Sequence, residues 1–290
     1  MLKRLFTGLI LLGACTTTGF AQQKTAERAI VKSKTEIIFP QNINRSAGGD
    51  DEGNAGFGGP GGMESKSTVY FKGDLIKTHN ESDFGNTMVI VDKRNRRTTT
   101  LREAMGRKTG FYSTEEDEEA MRKSMEARRD SIRQTRGQSV SNAANATTPE
   151  AEIVATSETK KIAGYNCKKA IIKTKSRQGE INETIVWYTP DFKIPGYPEA
   201  GNTGGGFGRG MRGQRGGFGI AGLDKIDGFI MGYDVSRSNG FKMHMEVTKV
   251  ELDPVIDDKV FEVPKGYDIK PLSEMQQQFR RGRINEDNNN

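Results

Sequence analysis

The chain has 290 residues, 33% of them hydrophobic and 28% charged, with a formal net charge of +6. That length holds one large or two ordinary domains, and the mixed charge excludes the basic excess of a nucleic-acid-binding surface. Glycine is concentrated: residues 48–62 hold eight and residues 201–222 hold eleven of the 35, so the remainder is ordinary and the chain is not disordered throughout.

The start, MLKRLFTGLILLGACTTTGFAQQ, places Lys3 and Arg4 before an apolar run from Leu5 to Ala14, followed by the small residues of Gly19-Phe20-Ala21. This pattern predicts a secretory signal peptide over residues 1–21, cleaved after Ala21. Leu12-Gly13-Ala14-Cys15 is the alternative, a lipobox in which Cys15 would be acylated and anchor the chain to a membrane. The expected location is therefore the periplasm, or the outer membrane by a lipid anchor. Removal of Cys15 leaves Cys167 alone, so an intrachain disulfide is excluded and stability must come from core burial.

Residues 24–40 place Val31, Thr35, Ile37 and Phe39 on one face with period two, which predicts a first strand. The acidic glycine tract 48–62 follows as a loop. Strand signals then come in succession: 67–79 with a Gly73-Asp74 turn, 86–92, a turn at Asp92-Lys93-Arg94-Asn95, its hairpin partner 96–101, and a short strand over 108–112. Residues 114–136 change character. Ser113 or Thr114 is a cap, Glu115 to Glu118 fill the first turn, and Glu118–Arg122 and Glu119–Lys123 have i,i+4 spacing. The apolar stripe of Met121, Met125 and Ile132 is thin, so this is a solvated helix, followed by a flexible linker over 137–151.

Strands return over 153–174 and 179–192, the latter placing Ile181, Ile185 and Trp187 on one face. The basic glycine tract 201–222 intervenes. Residues 228–236 then align Phe229, Met231, Tyr233 and Val235, and residues 240–252 align Phe241, Met243, Met245 and Val247 against polar Lys242, His244 and Glu246. A short piece over 259–269 ends a single β-rich domain spanning 22–275, and 276–290 is a polar tail. The fold class is mainly β (α+β): a curved antiparallel sheet or half-open β-barrel with one or two helices.

Chemistry is sparse. His79 and His244 are the only histidines, and the HExxH, CxxC, GxSxG, Walker A and EF-hand patterns are missing. Cys167 is flanked by Lys168 and Lys169 but reads as a buried structural thiol. Met243-His244-Met245 contains copper-type ligands, yet strand alternation separates the histidine from the methionines, so the two Met read as core. Arg209, Arg212 and Arg215, interleaved with Phe207, Phe218 and glycine, belong to an RGG-like tract, but export places it away from RNA. No enzyme, cofactor or metal is expected.

Six strings in order, 67–80, 88–101, 158–172, 185–192, 226–252 and 260–269, resemble the DUF4412 group of exported bacterial envelope proteins, which is similar to the LolA/LppX-like superfamily of lipoprotein carriers. The resemblance implies a half-open barrel around an apolar cleft with helices as a lid, holding acyl chains in the better-known relatives. Candidate cleft residues are Trp187, Phe229, Met231, Phe241, Met243 and Met245. The expected function is non-enzymatic binding of an apolar or lipid ligand, or of a lipoprotein's acyl chains. The alternative is an envelope scaffold that engages a protein partner through the charged helix and the Gly/Arg loop. No nucleic acid is expected, and membrane association is expected only if Cys15 is lipidated.

Overall fold

The computed structural model describes residues 23–39, 62–135, 151–175, 179–198, 220–238 and 240–275. Cys15, the Ala21 cleavage point, the linker after the helix, the 276–290 tail and nearly all of both glycine tracts lie outside the described residues.

The strands are β1 (Lys24–Thr25), β2 (Arg28–Ile38), β3 (Gly62–Lys72), β4 (Leu75–Ser82), β5 (Gly85–Asp92), β6 (Arg97–Ala104), β7 (Arg107–Thr114), β8 (Ala151–Ile162), β9 (Tyr165–Lys175), β10 (Ile181–Thr189), β11 (Phe192–Lys193), β12 (Phe229–Ser236), β13 (Lys242–Leu252) and β14 (Asp268–Pro271). The helix α1 spans Glu115–Thr135. Twelve strands form one sheet in the order β14-β7-β6-β5-β4-β3-β2-β13-β12-β10-β9-β8. The order is linear, so the large curved sheet is open, with β14 and β8 at its edges. It consists of two antiparallel meanders, β2 to β7 and β8 to β13, joined where β2 pairs with β13 from Lys242↔Ile38 to Leu252↔Ala29. β14 returns to the far edge and pairs parallel with β7. The tight turn between β8 and β9 takes Ala163 and Gly164 to φ 46° and 92°, the paired left-handed residues that a two-residue hairpin turn with the sheet's own twist requires.

Strand alternation builds the main core on one face. It buries Ala29, Val31 and Ile37 of β2, Val69 and Phe71 of β3, Phe229, Met231, Tyr233 and Val235 of β12, and Met243, Met245 and Val247 of β13. The expected pattern of β12 and β13 is therefore observed. β10 departs from it. Its sealed side carries Thr184, Val186 and Thr189, while Ile181 is 68% exposed. A register shift between Trp187 and Tyr188 against β12 interrupts the simple alternation there. β8 also bends at an irregularity between Ala155 and Thr159, and its end returns towards β13, where Lys160 meets Glu246 at 2.5 Å.

A second cluster forms on the opposite face. Val89 and Val91 pair with Thr78 and Ile76 on the main-core side, so Met88 and Ile90 project to the other. Met88, Ile90 and Leu101 are buried there beneath Tyr267 and Ile269. The cover is the chain after β13, a strap over residues 253–275. Lys72 donates to the Ile256 carbonyl at 3.1 Å and Lys77 to the Val260 carbonyl at 2.9 Å. Ile256, Phe261 and Leu272 of the strap are buried.

α1 leans on β7. Its start is a reciprocal cap: the Thr114 amide donates to the Asp117 carboxylate at 2.9 Å, and the Asp117 amide donates to the Thr114 hydroxyl at 3.3 Å. Glu119–Lys123 pairs as expected at 2.8 Å. Glu118 instead accepts from the Ser113 hydroxyl, and Arg122 reaches Glu119 and Glu126. Among the described contacts, α1 meets the sheet at β7, away from the methionine face of β12 and β13.

Candidate ligand cleft

The methionine and aromatic face of β12 and β13 is the place where an apolar ligand would be held. Phe229, Met231, Met243 and Met245 are 8%, 0%, 4% and 7% exposed, and all belong to one core cluster. Phe241, just before β13, is half-buried and packs against that cluster; its ring lies edge-on to Phe39 at 6.3 Å. Five of the six candidates therefore meet in one apolar region.

Trp187 is the exception. Its ladder partners are Lys169 on one side and Gly232 on the other, and Gly232 in turn pairs with Glu246. This row alternates away from Met231, Tyr233 and Met245, so the half-buried indole sits among charges and reaches the cluster from the other side. The Lys160 ammonium is 6.0 Å from its ring. β10 alternates without interruption from Thr184 to Trp187, so Thr184 and Val186, in register with Val235 and Tyr233, take the main-core side and Trp187 takes the other; the irregularity begins only after Trp187.

The chain itself covers the methionine face. Between β10 and β12, residues 190–198 and 220–226 fold over it. β11 is held by pairing with β1, with the Lys24 amide donating to the Asp191 carbonyl at 2.9 Å and the Ala26 amide to the Lys193 carbonyl at 3.0 Å. Phe192 is fully buried, and Ile194, Ile220 and Leu223 nearly so. The rings form a continuous row: Tyr165–Phe192 at 4.8 Å, Phe192–Phe229 at 4.9 Å, Phe229–Tyr197 at 5.1 Å and Tyr197–Phe71 at 6.2 Å. Tilted and edge-on contacts of this kind add to the burial energy of each ring. Gly222 is needed at the lid's return, since its φ is 94° and a Cβ there would come within 2.7 Å of the Ala151 side chain. No short string in the sequence announces this lid, because its apolar residues are scattered around the second glycine tract.

The reactive groups lie apart from one another. Cys167 is fully buried, its thiol pushed up to about 11 by burial and donating to the Tyr165 carbonyl at 3.6 Å. His244 is on the charged face, 2.6 Å from Asp234, its direct ladder partner. His79 lies far along the sheet on β4, 3.5 Å from Glu81. Burial also pushes the Tyr233 hydroxyl up to about 12. Among the described residues no group of three or more His, Cys, Asp or Glu side chains could hold a metal ion, and no helix is long and apolar enough to cross a membrane.

Comparison with known proteins finds a family model that matches part of the chain. A model described as the N-terminal domain of N-glycanase peptide matches residues 70–208, just under half of the chain. Two solved structures of PNGF-II, in C2 and P21 crystal forms, are 18% and 17% identical and cover 86% and 87% of this chain, with a TM-score of 0.34 each. This chain spans only about a third of theirs, 32% and 33%. A domain from Vibrio parahaemolyticus described as an outer membrane lipoprotein-sorting protein domain is 7% identical, covers 81% of this chain and 89% of its own, and has a TM-score of 0.21. No curated protein matches.

Proposed function

We propose that this chain is a non-enzymatic, exported module of the cell envelope that acts as a protein-interaction scaffold. The observation that supports this reading is the closed core. Phe192 and Met231 are both fully buried, so the apolar face suited to a ligand is already filled by the chain's own lid. The surfaces left for a partner are polar, and α1 is foremost among them, exposed at Glu118, Glu119, Arg122 and Lys123. A leader of basic and apolar residues ending at Ala21 supports export, and the DUF4412-type strings support an envelope setting. The match to a model of an N-terminal domain fits a module that works beside other domains.

The test is photo-crosslinking in cells from exposed α1 positions, beside organic extraction of the purified protein. The scaffold reading predicts discrete protein adducts from Glu119 and Arg122, lost on deletion of 115–135 while thermal stability is kept. It also predicts no stoichiometric lipid in the extract.

A second reading is favoured by the three methionines Met231, Met243 and Met245 beneath a cover that belongs to no large strand. Thioether side chains adapt to variable apolar guests, so the lid could open to admit an acyl chain. Extracted lipid at one equivalent, with a higher melting temperature on adding lipid, would replace the scaffold by this carrier.

A further inference from the structure

The strap over the second cluster is built as an arm. β13 ends in the middle of the sheet, while β14 lies at the edge, seven strand positions away. At about 4.8 Å per strand, the chain between them crosses roughly 34 Å of sheet. On the way it is fastened to the N-terminal meander. Lys72 and Lys77 hold the main-chain carbonyls of Ile256 and Val260, and Lys72 also pairs with Asp258 at 2.5 Å. The Lys108 ammonium lies 5.7 Å from the Tyr267 ring. Ile269 rests on Gly110, where a Cβ would come within 2.7 Å of the Leu101 side chain and 3.5 Å of Ile269. Parallel pairing of Asp268–Pro271 with Thr109–Tyr112 completes the seat.

The arm joins the body at a corner. Asp253 takes φ 55°, a left-handed conformation that costs a non-glycine residue energy. It is pinned there from three sides: its amide donates to the Arg28 carbonyl at 2.8 Å, and its carboxylate accepts from the Glu27 amide at 3.1 Å and pairs with Lys24 at 3.2 Å. Pro254 and the 95% exposed Val255 follow. The corner itself therefore buries little. The arm beyond it buries Ile256, Phe261 and Leu272 and shields Met88, Ile90 and Leu101. When the corner straightens, an arm and its seat open together, and the surface that fits the seat is an identical arm. A second copy supplies one and offers the same seat in return. Such an exchange is isologous and closes at two chains. It keeps the contacts of the seat and releases both left-handed corners.

We propose that two copies of this chain exchange their straps, the arm of each, residues 254–272, lying in the seat of the other. Met88, Ile90 and Leu101 are then covered in trans. This goes beyond the scaffold reading and does not depend on it, since α1 is not part of the seat.

The experiment uses a disulfide that reports which chain fills the seat. Thr109 and Asp268 are direct partners across the β7–β14 ladder, and both are exposed. The exported chain carrying Cys15→Ser, Thr109→Cys and Asp268→Cys is refolded at high protein concentration, oxidised and separated by size. The expected result is a dimer fraction that runs as a covalent pair in a denaturing gel without reductant, beside a monomer fraction that runs as a single chain. Deleting Pro254 and Val255 leaves a corner too short to turn back and should move the population towards the dimer. Lys77→Met removes one fastening of the arm and should speed subunit exchange between labelled dimers about fivefold. If the shortened chain does not fold, the disulfide in the parent chain decides. Absence of a dimer fraction in the parent chain overturns the proposal, as does a dimer whose disulfide stays within each chain. Covalent dimer from Asp268→Cys alone also overturns it, in favour of contact between unswapped copies.

Discussion

The two meanders solve the same burial problem in opposite ways. The C-terminal one, together with β2 and β3, buries its side chains on one face beneath a lid supplied from within the meander, between β10 and β12. The N-terminal one buries Met88, Ile90 and Leu101 on the other face beneath the strap at the end of the chain. The sheet therefore changes its covered side, and β5 is the strand where the change shows: Met88, Val89 and Ile90 are consecutive and all buried. The first region has an aromatic row and a methionine cluster. The second has three buried residues and a cover that arrives from far along the chain. The first should behave as the stable nucleus and the second as the dependent half.

The largest break in this comparison is expected from Phe192→Ala. It removes the ring at the centre of the aromatic row and should cost about 4 kcal/mol in chemical denaturation, within the range for buried aromatic truncations. Both halves should lose protection from hydrogen exchange together. Leu101→Ala, in the thin cluster, should cost about 3 kcal/mol. Here the exchange of β5 to β7 should rise while β9 to β13 stay protected. Equal loss in both halves would show one cooperative unit.

Lys77→Met unhooks the strap from β4 and leaves the Val260 carbonyl without its donor; it should cost about 1 kcal/mol, read as faster exchange over 256–271. Burial already lowers the affinity of the Lys77 amine for its proton, so that contact should weaken further at high pH. The smallest effect concerns Cys167. Its folded thiol holds a proton up to about 11 against an ordinary 9.0. The unfolded thiol ionises first, so this group's contribution to stability is intact below pH 9 and declines as pH rises from 9 towards 11. The pH dependence of the denaturation midpoint should flatten there in Cys167→Ala, and iodoacetamide should label wild-type protein only after unfolding.

Much of this architecture is legible in the residues. Phe229, Met231, Tyr233 and Val235 announce their face by strict alternation, and so do Met243, Met245 and Val247, because a half-buried strand must present one apolar side. Turn chemistry places Gly73-Asp74, Asp92 to Asn95 and the helix cap at Thr114. The unbroken apolar run from Met88 to Val91 signals a strand covered on both sides, but what covers the second side lies more than 160 residues later, and nothing local names it. Trp187 was misplaced among the methionines for a related reason: β10 is apolar on both sides, Ile185 and Trp187 share a face as their spacing says, and only the cross-strand register, Val186 beside Tyr233, decides that the other face meets the core. The lid is the least legible part. Phe192, Ile194, Tyr197, Ile220 and Leu223 have no common period, since they flank a glycine tract and meet only in three dimensions.

The pairing of β2 with β13 has a consequence for how the protein is made. β2 is among the first strands to leave the ribosome and β13 among the last, yet they are hydrogen-bonded neighbours in the middle of the sheet. Contacts so distant in sequence slow folding, because the intervening loop must close before they reward it. During synthesis β2 presents an open edge, the kind of surface on which nascent chains aggregate unless a chaperone holds them. The same delay keeps the nascent chain threadable. A sheet that cannot be completed until its penultimate strand is made is well matched to passage through a narrow pore in extended form, with the final pairing left for the far side.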